Sequence, residues 1–398
     1  MKIKSLHIRN VGPFKDATVD FTTIDSEETY EAPITIITGM NGAGKSIVID
    51  SIRAILSSQS LERNIVADDK DFCIEIDAMY NEHGIRHLSA THLENGHLPY
   101  VDYEGLNKPF LYGYKQPGKV YGWVADYWSS KLPTDSFQIK NMVNIEHDMV
   151  LKDAMVGKKR NIDLTNFICQ VDYLRSSEMI EEKELGEHLY ATLKNIINQC
   201  LDNGEFLYVR RTDITPIVQQ NGHRISLEKL SSGNIFLIEH MAMLLCKMYS
   251  VAVLNNTSPT DITKIPGLLL IDEIENHLHP QWQKKVLGII RTVFPNLQII
   301  LTTHSPFVIS SVNGARIYTC VSNGDYSEIK DETDIYTHLP VEEILASDVF
   351  AVSSFNNEIT ELIKERKRHI IAGEKGAAAS IEKRLVDINP EYFMYLNP

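Results

Sequence analysis

PITIITGMNGAGKS, residues 33–46, is the stretch of this 398-residue chain that decides the fold. An apolar run of strand type leads into the pattern G-x-x-x-x-G-K-[ST], which residues 39–46 match in full. Apolar side chains then recur at helical spacing. Gly42 and Gly44 allow the backbone N–H groups of such a loop to point inward, and the helix N-terminus adds partial positive charge. The stretch predicts a strand–loop–helix unit of an α/β protein, with a phosphate site at its centre.

Two side chains complete the predicted phosphate loop. The ammonium of Lys45 can reach the β- and γ-phosphates of a nucleoside triphosphate, and the hydroxyl of Ser46 can bind Mg²⁺. The alternative is a glycine-rich turn with a surface lysine. The full match between a strand and a helix favours the phosphate site.

A second apolar strand, in LLLIDE at residues 268–273, ends in two acids. Ligands of open α/β sheets bind at the carboxyl ends of the strands, so both acids are placed to face a nucleotide. We expect Asp272 to hold Mg²⁺ through its water shell and Glu273 to act as general base on the attacking water. The alternative is a strand that ends in a solvated acidic turn.

A third apolar strand ends at His304 in LTTHSP. A histidine at this edge can hydrogen-bond the γ-phosphate and respond to its loss. The alternative is a core histidine whose hydrogen bonds are satisfied internally. The position after the strand with two acids favours the phosphate contact.

The turn LSSGN, residues 230–234, decides the class of ATPase. It precedes an apolar helix and is a close variant of the signature LSGGQ, in which Ser231 and the backbone of Gly233 meet the γ-phosphate held by another subunit. The helix dipole again favours the anion. The alternative is a serine that only caps the helix. The order of the motifs favours the signature, so two heads are expected to sandwich ATP as a homodimer.

Composition limits the other classes of function. With 53 acidic and 39 basic residues the net charge is −14, so any nucleic-acid surface must be local. The N-terminus lacks the apolar core of a signal peptide, and the apolar runs look too short to span a bilayer. The five cysteines form no CxxC pair, which predicts reduced thiols in a cytoplasmic protein rather than a disulfide or zinc framework. No membrane partner is expected.

Five stretches together resemble the compact RecF/SMC-type ATP-binding-cassette ATPases: IRNVGPF, GMNGAGKS, LSSGN, LLLIDEIENHLHPQWQKKV and FPNLQIILTTHSP. The nearest resemblance is to the ATPase subunits of Septu-like and retron-linked anti-phage systems and to the ATPase half of OLD nucleases. It covers roughly residues 1–60 and 226–315. It implies an α/β fold of ABC-type head, in which a mixed central sheet is flanked by helices.

The resemblance implies ATP and Mg²⁺ as the ligands and gives a role to each matching residue. It assigns ATP contacts to Asn41, Gly42, Ala43, Gly44, Lys45 and Ser46, and metal contacts to Ser46 and Asp272. It makes Glu273 the catalytic base, His304 the switch histidine, and Ser231, Ser232 and Gly233 the groups that act across the dimer. Residues 276–280 match a loop at the dimer seam. Ser232 and Asn234 depart from the usual glycine and glutamine of the signature, which leaves the rate open.

Two further contacts, one to Mg²⁺ and the attacking water and one to the nucleotide, are expected at residues that lie in no defining motif. A glutamine that links Mg²⁺ to the attacking water is expected upstream of the signature, and Gln116 and Gln138 are the candidates, although each is as readily a surface residue. Arg9 and Asn10, just after the first strand, are candidates for a nucleotide contact.

Four segments are predicted along the chain. Residues 1–90 carry the phosphate loop and form the first part of the head, and residues 226–340 carry the signature, the two acids and the switch histidine. Residues 91–225 are expected to form an α-rich insertion. Residues 341–398 are expected to form a helical tail.

The leading functional hypothesis is a nucleotide-dependent regulator of a separate effector, a nuclease, in prokaryotic anti-phage defence. The main alternative is a DNA-repair head that clamps DNA directly, with the basic runs at 152–160 and 364–369 as candidate contacts. A transporter subunit is disfavoured by the HLHPQWQ run, and a chromosome-type head by the lack of coiled-coil repeats. An internal nuclease is not expected, because no set of strands bearing acids follows His304. An oligomer larger than a dimer is left open.

Overall fold

The computed structural model describes residues 1–21, 33–58, 65–66, 71–79, 84–93, 108–113, 121–130, 142–152, 154–155, 163–347, 350 and 357–393. Their strands are β1 Lys2–Val11, β2 Phe14–Asp20, β3 Ile34–Gly39, β4 Cys73–Met79, β5 Ile85–Ala90, β6 Val124–Trp128, β7 Gly204–Arg210, β8 Thr215–Gln220, β9 His223–Ser226, β10 Gly267–Ile271, β11 Leu297–Thr302, β12 Arg316–Ser322 and β13 Ser327–Asp331. Their α-helices are α1 Lys45–Ser57, α2 Lys108–Tyr112, α3 Leu164–Leu174, α4 Ile180–Gln199, α5 Ser232–Asn255, α6 Pro280–Val293, α7 Pro306–Ile309, α8 Thr333–Tyr336, α9 Val341–Ala346, α10 Asn357–Ile371, α11 Lys375–Ile388 and α12 Pro390–Phe393.

The main sheet has the strand order β5-β4-β1-β2-β13-β12-β3-β11-β10-β6. Its half from β12 to β6 is parallel, and every residue of β3, β10 and β11 is buried. Almost wholly apolar strands suit this position, because helices cover a parallel sheet on both faces. The predicted α/β head with a mixed central sheet flanked by helices is therefore confirmed.

The other half of the sheet is largely antiparallel, and β1 lies between β2 and β4. A register shift between Ile3 and Ser5 interrupts the pairing of β1 with β4. This bulge explains why buried Ile3 and Leu6 are three residues apart, whereas Leu6 and Ile8 follow strict alternation. The buried side chain of Gln298 in β11 bonds both the N–H and the carbonyl of Ile3, at 2.6 and 2.7 Å.

Residues 91–225 contain more strand than the sequence predicted. Strand β6 joins the main sheet beside β10, and β7, β8 and β9 form a separate three-stranded antiparallel sheet. The helices α3 and α4 lie within the same range, which the sequence predicted as an α-rich insertion. Part of this region is therefore integral to the main sheet rather than appended to it.

Helix α5 is the core helix that follows the signature turn. It is long and apolar enough by length and composition to cross a membrane, but its most apolar window is 83% buried inside the fold, as a core helix would be. Glu239, His240 and Lys247 divide this helix into shorter apolar runs. The Lys247 ammonium is itself paired with Asp126 of β6 at 2.5 Å.

The chain divides into two compact units, Met1–His338 and Leu339–Pro398. In the second unit, α10 and α11 lie antiparallel, since Glu358 pairs with Arg384 and Arg366 with Glu382. This unit has a small core of its own, made of Leu362, Ile381, Leu385 and Phe393. Helices were expected in this part of the sequence.

Candidate nucleotide-binding site

The phosphate loop between β3 and α1 is built by glycines in a left-handed backbone. The φ angles of Gly39, Gly42 and Gly44 are 140°, 81° and 101°, a region that favours glycine. A Cβ on Gly44 would lie 2.6 Å from the ring of Phe14, and one on Gly39 would lie 2.3 Å from the Cys320 carbonyl oxygen. Both the backbone angles and the close packing therefore require glycine at these two positions.

The Lys45 side chain folds over this loop. Its ammonium donates to the carbonyl oxygens of Gly39 and Met40, at 3.1 and 3.0 Å, and the residue is only 5% exposed. Burial lowers the pKa of Lys45, while the nearby acids Glu273, Glu275 and Asp272 act in the opposite direction. A buried cation beside the N-terminus of a helix favours the binding of a phosphate. Phosphate oxygens would replace the two carbonyl oxygens as acceptors of the Lys45 ammonium.

Ser46 and Asp272 meet, although the sequence places them 226 residues apart. The Ser46 hydroxyl donates to Asp272 Oδ1 at 2.8 Å, and the Thr302 hydroxyl donates to the same oxygen at 2.7 Å. The Asp272 N–H is bonded to the Trp128 carbonyl at 3.0 Å. A hydroxyl and a carboxylate oxygen side by side are hard oxygen ligands of the kind that Mg²⁺ prefers.

Glu273 follows β10 in a strained backbone conformation, with φ of 52°. Its N–H donates to the Thr302 hydroxyl at 2.8 Å, and its Oε2 accepts from the Asn276 amide at 2.8 Å. The sequence assigned Asn276 only to the loop 276–280. The structure shows in addition that this amide orients the predicted base.

Glu275 is a site residue that the sequence reasoning missed. Its carboxylate accepts from the Thr303 hydroxyl at 2.7 Å and from the backbone N–H of His304. Burial raises the pKa of Glu275, and these two hydrogen bonds oppose that rise. Glu275 thereby fixes the backbone that carries the predicted switch histidine. Its place as the third acid of DEIE was the signal available in the sequence.

His304 lies in the electrostatic field of the same site. Burial is the main cause that lowers its pKa, and the Lys45 cation lowers it further, while Glu273 and Asp272 act in the opposite direction. The lowered pKa favours a neutral imidazole, which can donate one hydrogen bond and accept another.

The signature turn is exposed at the start of α5. Ser231 caps this helix, because its hydroxyl accepts from the Asn234 N–H at 3.3 Å. The Asn234 amide points inward to the Cys200 carbonyl at 2.5 Å, so the residue that replaces the usual glutamine has a structural partner. Ser231 and Ser232 are exposed. Among the described residues, no hydrogen bond joins this turn to the phosphate loop of the same chain.

Gly233 connects the signature turn to the loop after β10. A Cβ on Gly233 would lie 2.5 Å from the His277 carbonyl oxygen. His277 is exposed and has a φ of 66°, and its ring is 6.0 Å from that of Phe236 in α5. The turn and the loop thus form one exposed surface, which we call the signature surface (Ser231–Gly233 and Asn276–His277).

The remaining candidates are not assembled into this site. Gln116 and Gln138 lie outside the described residues. Arg9 is exposed near the end of β1, and the Asn10 amide is bonded to the Asp71 carbonyl at 2.6 Å. A nucleotide contact for these four residues stays a prediction.

Two models of known protein families match this chain, one over the phosphate loop and one over the signature turn and the acids after β10. A family model described as "AAA domain" matches residues 5–103, which include the phosphate loop. A second, described as "AAA domain, putative AbiEii toxin, Type IV TA system", matches residues 176–310, which include the signature, Asp272, Glu273 and His304. This chain carries an ATPase domain. The reaction of such a domain is ATP hydrolysis.

Similar curated proteins include two retron proteins and one Septu protein. "Retron Ec83 probable ATPase" of Escherichia coli is 24% identical, over 59% of this chain and 43% of its own length. "Retron Vc95 probable ATPase" of Vibrio cholerae serotype O1 biovar El Tor is 25% identical, over 72% and 68%. "Septu protein PtuA" of Bacillus thuringiensis is 25% identical, over 84% and 78%. The ATPase is thus homologous to retron and Septu proteins, while its match spans less than half of the Ec83 protein.

Solved structures also align with most of the ATPase. The "SMC head domain from Thermotoga maritima" covers 83% of this chain and 99% of its own, with 15% identity and a TM-score of 0.43.

Proposed function

We propose that this ATPase is a switch that closes as a homodimer around ATP and Mg²⁺, and that it controls a separate effector protein, a nuclease, in prokaryotic anti-phage defence in the cytoplasm. The observation that carries the proposal is the convergence of Ser46, Asp272 and Lys45 at the end of the parallel sheet. The naming of the relatives as retron and Septu proteins supports the biological setting.

Each predicted residue has a chemical task in this proposal. Lys45 and the N–H groups of residues 41–46 bind the phosphates, and Ser46 and Asp272 hold Mg²⁺, which supplies charge neutralisation at the phosphates. Glu273, oriented by Asn276, takes the proton of the attacking water. His304, in its neutral form, hydrogen-bonds the γ-phosphate, and Glu275 holds its backbone.

The signature surface supports closure between two copies. Ser231 and Ser232 are exposed, and the N-terminus of the long helix α5 directs its partial positive charge outward at this point. An anion held on the phosphate loop of a second copy could accept hydrogen bonds from the N–H groups at the start of α5 that have no partner within the helix.

The acidic chain gives less support to direct clamping of DNA. In the basic run 364–369, Lys364 pairs with Glu361, Arg366 with Glu382, and His369 with Glu374, at 2.9, 2.7 and 2.6 Å. The other run, 152–160, lies mostly outside the described residues. These pairs occupy three side chains of the run, although Lys367 and Arg368 are not among them. Together with the net charge of −14, they favour a protein effector, which is the proposal we retain.

Mixing of inactive variants tests the composite site. Lys45→Ala removes the phosphate contact and Ser231→Arg blocks the signature, so each variant alone is expected to be inactive. A mixed dimer keeps one intact composite site, and the mixture should hydrolyse ATP at up to about a quarter of the wild-type rate if the sites act independently. ATPase rate per chain at matched concentration is the measurement.

The double variant carrying both substitutions is the second arm of this test. In a sandwich, its excess should suppress the wild-type rate, because both sites of a mixed dimer are then broken. If the wild-type rate is unchanged by the double variant, and the two single variants together give only the sum of their separate rates, the sites are built within one chain and the sandwich is wrong.

A further inference from the structure

A mixed group of side chains that can bind metal lies on the antiparallel half of the sheet, on strands that carry neither the phosphate loop nor the acids after β10. His7 of β1 faces Glu75 of β4 across the strands, and Cys73 lies two residues before Glu75 on the same face. Because strand side chains alternate, this register brings one imidazole, one thiol and one carboxylate together. We call this group the β1–β4 cluster (His7, Cys73 and Glu75).

The cluster has the spacing of a metal site. One ligand atom from each residue lies within 4.8 Å of the others. His7 Nδ1 is 3.2 Å from Glu75 Oε2. Ligand atoms of a tetrahedral zinc lie about 3.5 Å apart, since Zn–N and Zn–S bonds are about 2.0 and 2.3 Å. Small side-chain rotations would therefore place the three atoms around one ion.

The surroundings of the cluster resemble the outer ligands of known metal sites. Asp16 Oδ1 is 3.2 Å from the second ring nitrogen of His7, and Ser89 donates to the other oxygen of Glu75 at 3.4 Å. A carboxylate on the far nitrogen of a ligating histidine fixes its tautomer and orientation. Burial and the neighbouring Glu75 raise the pKa of the Cys73 thiol, whereas Arg9, which is opposite Cys73 in the register, acts in the opposite direction.

Access and burial also suit an ion that comes from solvent. Cys73 is 5% exposed, whereas the side chains of His7 and Glu75 are 33% and 34% exposed. The thiol is thus sheltered on one side, and the other two ligands open toward water. Thiolate and imidazole are the ligands that zinc selects.

We propose that the β1–β4 cluster binds Zn²⁺ through His7 Nδ1, Cys73 Sγ and one oxygen of Glu75, with water as the fourth ligand. Binding replaces the thiol proton, which passes to solvent, and creates no other bond change. The ion would link β1 to β4. The turn after β1 lies against the phosphate loop, since Pro13 would be 2.7 Å from a Cβ on Gly44, so the ion would brace the strand that leads into this turn. This proposal does not rest on the proposed function.

Cobalt substitution provides a spectroscopic test on the full chain without nucleotide. Purified protein, stripped of metal with a chelator, is titrated with Co²⁺ and then with Zn²⁺. We expect one equivalent of Co²⁺ per chain, a near-ultraviolet thiolate-to-cobalt band, visible bands typical of tetrahedral cobalt, and loss of all of them when Zn²⁺ is added.

Three variants and one control assign the ligands. Cys73→Ser should abolish the thiolate band, and His7→Asn and Glu75→Gln should weaken Co²⁺ binding by about tenfold or more, as expected for lost metal contacts. His87→Asn is the matched control: His87 bonds Asp77 on the same sheet face, at 2.9 Å, but lies outside the cluster. It should bind Co²⁺ like wild type.

The outcomes separate the proposal from loss of folding. Glu75 is partly exposed, so Glu75→Gln is expected to keep the wild-type far-ultraviolet circular dichroism even if Cys73→Ser does not. A wild-type protein with no thiolate band, a band that persists in folded Cys73→Ser, or equal affinity in Glu75→Gln and wild type would each overturn the zinc site.

Discussion

Glu273 is held by two groups that come from different parts of the fold. The Thr302 hydroxyl at the end of β11 accepts its N–H, and the Asn276 amide contacts its carboxylate. Non-glycine residues with positive φ are uncommon and persist where neighbouring contacts hold them. These two contacts therefore hold the strained backbone in place and fix the direction of the carboxylate that the sequence assigns as the base.

Replacing Glu273 with glutamine tests that role. The amide keeps the shape of the side chain but cannot accept a proton, and positioned general bases contribute about 10²–10⁴-fold to rates. We expect hydrolysis to fall by that factor while ATP binding, measured by titration with a fluorescent analogue, is retained. The trapped ATP should hold the dimer closed in size-exclusion chromatography.

Asn276→Ala provides the companion measurement. If Asn276 acts through Glu273, the loss should be in kcat rather than KM, smaller than that of Glu273→Gln, and absent when Glu273 is already glutamine. Hydrolysis near the wild-type rate in Glu273→Gln would remove this residue as the base, whatever Asn276→Ala does.

At the residue scale, the sequence named the candidate residues but not the contacts that hold them, and their roles stay predictions. The motifs named Lys45, Ser46, Asp272, Glu273 and His304 because each occupies a defined place beside a strand or a glycine turn. The supporting contacts of Thr302, Asn276 and Glu275 were not predicted. They depend on which side chains of the β10 loop and of β11 face each other, and spacing along one chain does not contain that information.

The signature helix α5 and the loop after β10 pack so closely at Gly233 that there is no room for a Cβ atom between them. Gly233 lies where a methyl group would be 2.5 Å from the His277 carbonyl oxygen, which belongs to backbone and cannot rotate away. The two elements therefore have no room for a larger side chain between them at this point.

We expect Gly233→Ala to push these elements apart and to lower ATP hydrolysis by about 10²-fold, the order expected from a misplacement near 1 Å. Binding of ATP to the phosphate loop should be unchanged. Steady-state hydrolysis and nucleotide titration measure the two effects separately.

Gly288→Ala is the matched control for this substitution. Gly288 is exposed within α6, and a Cβ there meets no atom within 4 Å. Alanine in a helix interior is favoured over glycine by about 1 kcal/mol, so this variant should be slightly more stable and fully active. Equal activity of the two variants would show that the close packing at Gly233 is not needed.

Element by element, long apolar runs were the easiest part of the fold to predict. Strands β3, β10 and β11 are almost wholly apolar and lie in the parallel half of the sheet. Strand β6 was missed, because it has only five residues and includes the polar Asp126. That carboxylate is satisfied by Lys247 of α5, a partner that no local pattern reveals.

For the molecule as a whole, a two-state ATP switch has an effect only through something that binds its states unequally. The ATPase has one nucleotide site among the described residues and a separate helical unit, Leu339–Pro398, with its own core. We therefore expect a separate effector, a nuclease, to bind with nucleotide-dependent affinity. This unit and residues 91–225 are the candidate docking segments.

Co-purification from the native host tests this expectation. Tagged Glu273→Gln, which should retain ATP, and tagged Lys45→Ala, which should not bind it, are compared with wild type. A nuclease retained by one variant and lost by the other supports the proposal. Equal retention would contradict nucleotide control. DNA cleavage by the purified ATPase alone, abolished by substitutions within 315–398, would replace the separate effector with an internal nuclease.

The order of strands in the main sheet also has a consequence for biosynthesis. Strand β3, which leads into the phosphate loop, is translated early, yet its neighbours in the sheet are β11 and β12. Likewise, the backbone N–H and carbonyl of Ile3 gain their hydrogen bonds to the Gln298 side chain only after residue 298 has been synthesised. Until the ribosome has released these late strands, β3 has two open edges, which are sites of wrong pairing. The nascent chain can therefore complete the surroundings of its phosphate loop only after β11 and β12 have been synthesised, and fragments that stop before β11 should aggregate rather than bind ATP.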